Sequence, residues 1–159
     1  MRVLDASVVV DAFVIDGDLG EAARDQIDRQ RTLIAPTILR AEVLSALRSL
    51  TLREVIPEMR GRRAIDRLRR LSIVSLPIEP LMGRIWELRS TISVHDAWYV
   101  ALAERLSTTL VTTDRRLATA NGPRCEIELM KADGSRRRDD GFGSRVCGCA
   151  VRRYPHTRD

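Results

Sequence analysis

The sequence predicts an α/β domain of three layers, with helices on both faces of a mostly parallel central sheet. Three observations predict it. The opening stretch, from Val3-Leu4 to Val8-Val9-Val10, is aliphatic and β-branched without polar alternation, as in a strand covered on both faces. Further short strand patterns, Leu33-Ile34-Ala35, Ile73-Val74-Ser75-Leu76 and Thr109-Leu110-Val111-Thr112, alternate with helical ones, the order in which a parallel sheet collects its crossovers. A length of 159 residues suits one domain, enough to bury roughly two thirds of the surface its unfolded chain exposes.

Residues 2–10 begin as a strand and put Asp5 at its carboxyl end, the edge at which open α/β sheets bind ligands. The alternative is that Asp5 or Ser7 caps a short helix running through Phe13. Asp16-Gly17-Asp18 reads as a turn before a helix over 19–29. After the second strand, Pro36 suits the first position of a helix over 37–50. There Leu39, Val43, Ala46, Leu47 and Leu50 form one stripe, and Glu42 lies at its border, about 80° from the centre. Its helical neighbours, Ile38, Leu39, Ser45 and Ala46, offer no ion pair, which leaves either a snorkelling acid or a functional one.

A helix over 54–70 carries Arg60-Gly61-Arg62-Arg63 and Arg67-Leu68-Arg69-Arg70. Such a run is a solvated face, a phosphate-contacting rim or a surface for an acidic partner. Pro77 and Pro80 close the third strand, and a helix over 81–89 is expected to pack Trp86 inward. Next comes Ser93-Val94-His95-Asp96-Ala97-Trp98-Tyr99-Val100-Ala101-Leu102-Ala103, apolar around nearly its whole circumference from Ala97 on. That is the pattern of a central buried helix. Asp96 enters its first turn, where Ser93 and Asp96 spell a capping box. Asp114 ends the fourth strand and either caps the helix over 115–118 or serves a site. Residues 125–130 supply a fifth strand.

No apolar run approaches the ~18 residues of a membrane span, and the start meets Asp5 before a leader core forms. A soluble, intracellular, cytoplasmic protein is expected. Cys125, Cys147 and Cys149 are odd in number and confined to the last third, which argues against a disulfide framework. Residues 1–130 hold 19 arginines against 18 acids, whereas residues 131–159 hold 8 basic residues against 4 acids. The net charge of +5 therefore belongs mostly to the tail, and basicity alone does not establish nucleic-acid binding. Residues 1–130 form the domain, and 131–159 read as a disordered basic appendage. Cys147-Gly148-Cys149 with His156 falls short of a closed zinc site.

Asp5, Asp96 and Asp114 each stand where a helix begins, and Glu42 points from a helix border. If the sheet edge gathers them, they would not all stay ionised unless a cation sat among them. Hard oxygen donors without a His or Cys cluster suit Mg²⁺, with Mn²⁺ also plausible. Ser7 and Thr112 or Thr113 would orient the acids.

The residues Val3-Leu4-Asp5-Ala6-Ser7, Ala41-Glu42-Val43, His95-Asp96-Ala97-Trp98-Tyr99-Val100-Ala101-Leu102-Ala103-Glu104 and Leu110-Val111-Thr112-Thr113-Asp114-Arg115-Arg116-Leu117 together resemble the PIN-domain family. Within it they look most like the VapC-type toxins of bacterial toxin–antitoxin pairs. The resemblance covers residues 1 to about 130 and implies a compact α/β/α fold and metal-dependent cleavage of RNA. It implies Asp5, Glu42, Asp96 and Asp114 as catalytic, metal-binding acids, with Ser7 and Thr112 in support. It also implies a homodimer and a cognate VapB-like antitoxin, and it says nothing of the tail. Two other readings stay open. One is a catalytically silent PIN fold that only binds a partner. The other is a phosphoryl-accepting signalling domain, for which the only lysine, Lys131, comes too late in the chain.

Overall fold

The computed structural model of the chain describes residues 2–30 and 32–131; the tail expected to be a basic appendage, with its two late cysteines, lies outside them. Five strands, β1 (Val3–Leu4), β2 (Leu33–Pro36), β3 (Ile73–Leu76), β4 (Leu110–Thr112) and β5 (Ile127–Leu129), form one sheet in the order β3-β2-β1-β4-β5. All four pairings are parallel, with Val3 opposite Ile34 on one side and Leu110 on the other. The chain builds outward from β1 to β3, then returns to the other flank of β1 for β4 and β5. The direction of winding thus reverses between β1 and β4. Such a reversal splays the connections apart and leaves a crevice at the carboxyl ends of those two strands.

The sheet is covered on both faces, which makes the three layers. Val3 and Leu110 join the cluster that holds Val43, Leu47, Leu68 and residues 97–103, while Leu4 and Val111 join Ala23 and Ile27. Each fully buried aliphatic side chain contributes about 1.5–3 kcal/mol. Seven α-helices flank the described strands: α1 (Ala6–Val14), α2 (Asp18–Asp28), α3 (Leu39–Leu52), α4 (Glu58–Arg70), α5 (Met82–Glu87), α6 (Val94–Arg105) and α7 (Arg115–Ala118). Helix α6 is the predicted central one: every residue from Asp96 to Ala103 is buried.

Four expectations are corrected. The first strand ends at Leu4, and Val8-Val9-Val10 are helical. Their β-branched chains disfavour a helix, but all three are buried and packing outweighs propensity. Pro36 does not open a helix; it pairs with Leu76 as the last residue of β2, and α3 starts at Leu39. The helix expected from 54 begins only at Glu58, because Glu54 adopts φ 56° to end α3 and Pro57 takes the N-cap position of α4. Trp86 is not packed inward: it is 68% exposed, whereas Trp98 is 8% exposed and belongs to the core. A hydrophobic count could not tell the two apart, because α5 is a single short helix that buries Ile85 and leaves Trp86 outside.

Two glycines separate close packing from open surface. A Cβ on Gly20 would sit 1.9 Å from the backbone oxygen of Ile15, while one on Gly83 would meet nothing within 4 Å. Gly20→Ala is therefore expected to cost about 1–3 kcal/mol in urea unfolding. Gly83→Ala in α5 is expected to be neutral or to stabilise by up to about 1 kcal/mol.

Candidate active site

Asp5 follows β1 directly and occupies the N-cap position of α1, yet its carboxylate does not cap that helix. Two hydroxyls claim it instead, Ser7 Oγ donating to Asp5 Oδ2 at 2.6 Å and Thr112 Oγ1 donating to the same oxygen at 2.8 Å. Both hydroxyls are oriented by β4: the Thr113 amide donates to Ser7 Oγ and the Asp114 amide to Thr112 Oγ1. The β1 and β4 ends are thereby laced across the reversal point. Burial pushes the Asp5 carboxyl above the ordinary range; the two hydroxyls pull it down and the charge of Asp96 pushes it up again. No arginine or lysine among the described residues pairs with Asp5.

Asp96 approaches from α6. Ser93 is its N-cap, accepting the Asp96 amide and donating its own hydroxyl to Asp96 Oδ2 at 2.5 Å. The capping box read from the sequence is present in altered form, because the acid holds the serine hydroxyl itself. One turn on, Tyr99 Oη donates to Glu42 Oε2 at 2.6 Å. Burial raises the Tyr99 phenol well above its usual pKa, and Glu42, Asp5 and Asp96 all push it further the same way. Of the three acids, Glu42 is the one that the phenol touches. His95 Nδ1 stands 3.5 Å from Glu42 Oε1.

Asp114 follows β4 and opens the next helix. Its Oδ1 accepts the Arg116 amide at 2.7 Å and caps α7, so the capping reading holds for this acid while its backbone supports Thr112.

Asp11 was not singled out in the sequence. Half-buried on α1, it is raised from 3.8 to about 6, first by burial and then by the charge of Asp5, against a hydrogen bond with Thr113. The available signal was its spacing: Asp11 lies four residues after Ser7, on the same face of one helix. A carboxyl whose folded pKa exceeds its unfolded one binds more protons when folded, so stability falls as pH rises from about 4 to about 6. With chelator present, Asp11→Asn is expected to stabilise the protein by about 1–3 kcal/mol at pH 7 and by nothing near pH 4. Thermal unfolding at the two pH values checks this.

The donor set suits a hard divalent cation: carboxylates and hydroxyls at the mouth of a parallel sheet, with excess buried negative charge around Asp5. The coupling of Asp5 and Asp96 fits the pair to such an ion, which would replace their mutual repulsion with attraction. Among the described residues, however, no three His, Cys, Asp or Glu side chains stand together as a ready-made cage.

The fold and this edge define a class, α/β domains with an acidic site at the winding reversal of a parallel sheet. The chain belongs to the PIN domain family, which it matches over residues 2–123. It is 40% identical over 130 residues to ribonuclease VapC9 of Mycobacterium tuberculosis, covering 82% of this chain and 98% of that one. Its fold is similar to the crystal structure of PAE2754 from Pyrobaculum aerophilum, with TM-score 0.60, 18% identity and coverage of 80% and 83% of the two chains. It is also similar to VapBC2 from Rickettsia felis, solved with a DNA fragment from its promoter, with TM-score 0.56, 15% identity and coverage of 80% and 97%. No helix among the described residues is long and apolar enough to cross a membrane.

Proposed function

We propose that this chain is a VapC-type endoribonuclease, the toxin of a toxin–antitoxin pair, which hydrolyses RNA phosphodiester bonds with Mg²⁺ or Mn²⁺. The observation that carries this is the 40% identity to VapC9 across 98% of that protein, with the Asp5 carboxylate held by Ser7 and Thr112 at the sheet edge and that of Asp96 by Ser93.

Asp5 and Asp96 would hold the ion between β1 and α6, with Glu42 at their flank. When bound, a divalent cation supplies Lewis acidity to a phosphate oxygen and to an attacking water. The protein's own residues do the positioning. Ser7 and Thr112 fix the Asp5 carboxylate, Ser93 fixes that of Asp96, and Tyr99 keeps Glu42 oriented through a proton it does not release near neutral pH. Asp114 supports the site through Thr112 and, on a small change of its cap, as a fourth oxygen donor. A toxin of this kind calls for restraint. A VapB-like antitoxin presenting a cation to the acidic edge, and a toxin homodimer, suit that requirement.

The test is cleavage of total cellular RNA by the parent and by Asp96→Asn, with Mg²⁺ and with EDTA. Cleavage by the parent in Mg²⁺ alone supports the proposal. Equal cleavage by both proteins, or cleavage unaffected by EDTA, refutes it. A parent that binds Mn²⁺ and cuts nothing is the silent binding partner instead.

A further inference from the structure

Beside the acids the surface opens into a hollow of about 320 Å³, bordered by Arg89, Ser90, Thr91, Ser93 and Arg116, with Leu117 as an apolar lining residue. It adjoins the acidic site, because Ser93, one of its lining residues, is also the residue whose hydroxyl donates to Asp96 Oδ2 at 2.5 Å. The two guanidiniums bring positive charge to a place where nearby carboxylates are already engaged. Among the described residues, neither Arg89 nor Arg116 forms an ion pair, and Glu87 is taken by Arg84 and Arg124.

Arg89 also connects the hollow to the misplaced tryptophan. Its guanidinium carbon lies 4.9 Å from the ring centroid of Trp86, and its Nη1 donates to the Trp86 carbonyl at 2.8 Å. The indole is 68% exposed. It rides on α5, which Arg84 fastens to α6 through two bonds to Glu104. An exposed aromatic ring beside two guanidiniums that no carboxylate among the described residues neutralises is the equipment of a single-strand binding track: backbone charge is met by arginine and a base by a ring face.

We propose that Trp86, Arg89 and Arg116 form a subsite for the single-stranded RNA flanking the scissile phosphate, Arg89 and Arg116 taking backbone phosphate and Trp86 stacking a base on the ring face away from Arg89. This deepens the ribonuclease reading and rests on it for the identity of the strand. Met82, 57% exposed and one turn before Trp86, would instead suit a second copy of the chain, and that possibility is an outcome of the test below. Two guanidiniums with no carboxylate partner among the described residues favour the polyanion.

The experiment uses the full chain in EDTA, so that nothing is cut and the basic residues beyond 131 contribute equally to every variant. A short single-stranded RNA of mixed sequence with a terminal fluorophore is the probe, and its anisotropy measures affinity in every variant; where Trp86 is kept, tryptophan emission is a second readout, since Trp86 is exposed and Trp98 is not. RNA is expected to quench the exposed emission in the parent. Trp86→Ala is expected to weaken binding by about fivefold or more, with Trp86→Phe largely restoring it. Arg89→Ala and Arg116→Ala are each expected to lower the slope of log affinity against log salt by about 0.7. With Mg²⁺, the same variants are expected to raise KM more than they lower kcat.

Parent-like RNA binding by Trp86→Ala together with parent-like salt slopes in both arginine variants overturns the subsite. So does a sedimentation shift from dimer to monomer in Trp86→Ala with RNA affinity per protomer unchanged, which assigns the face to a second copy. The two readings fail separately. Quenching and salt dependence without cleavage in any divalent metal keep the subsite and remove the ribonuclease; cleavage in Mg²⁺ that is indifferent to all three substitutions does the reverse.

Discussion

Asp5→Asn is expected to lower Mg²⁺-dependent RNA cleavage by at least about a hundredfold while raising the thermal midpoint of the protein in EDTA. The two effects have one cause. Burial and the neighbouring charge of Asp96 make an ionised Asp5 costly, and a carboxylate kept in such a place is retained for what it binds. An asparagine preserves size and can still accept the hydroxyls of Ser7 and Thr112, but it supplies no charge to a cation. A variant that lost both activity and stability would make Asp5 a structural residue, and one that cut RNA like the parent would remove it from the site.

Arg84→Ala is expected to destabilise the fold by about 3–5 kcal/mol, lowering the thermal midpoint by roughly 10 °C or more. Arg84 Nε and Nη2 meet the two oxygens of Glu104 at 2.6 and 2.9 Å, and Nη2 also donates to the Gly122 carbonyl at 2.7 Å. Against the upward push of burial, the Arg84 guanidinium and the Arg124 amide hold the Glu104 carboxyl below its usual range. Removing the arginine leaves a largely buried carboxylate at the seam between α5 and α6 with the Arg124 amide in place of a full ion pair. The comparison is Arg62→Ala. Arg62 is also paired at 2.7 Å, with Glu58, but both side chains are about 70% exposed, so a loss of no more than about 0.5 kcal/mol is expected. Similar losses at both positions in urea unfolding would contradict the distinction.

The layers and most elements could be read from the chain because apolar periodicity reports burial, and burial dominates here. Helix α6 is the plainest case: an unbroken apolar run can only be central. The same logic misled at Val8-Val9-Val10, since a helix buried on nearly all sides and a buried strand share a composition. Trp86 failed for the converse reason, a large apolar ring that the core does not take up. At the site, the acids at the ends of β1 and β4 followed from the edge rule for parallel sheets. The strand order that brings those two ends side by side did not, because it depends on long-range pairing that local residues leave open. Glu42 was notable for lacking a helical partner; its partner is Tyr99, from a helix far along the chain. Asp11 was passed over because a lone acid on an apolar helix gives no hint of what faces it.

The central claim is that Asp5 and Asp96 jointly hold a divalent cation, and Mn²⁺ titration followed by electron paramagnetic resonance measures it without reference to RNA. Saturable binding by the parent, weakened about tenfold or more by Asp5→Asn and again by Asp96→Asn, is the expected result. Binding of equal strength in all three proteins, or none in the parent, would contradict it.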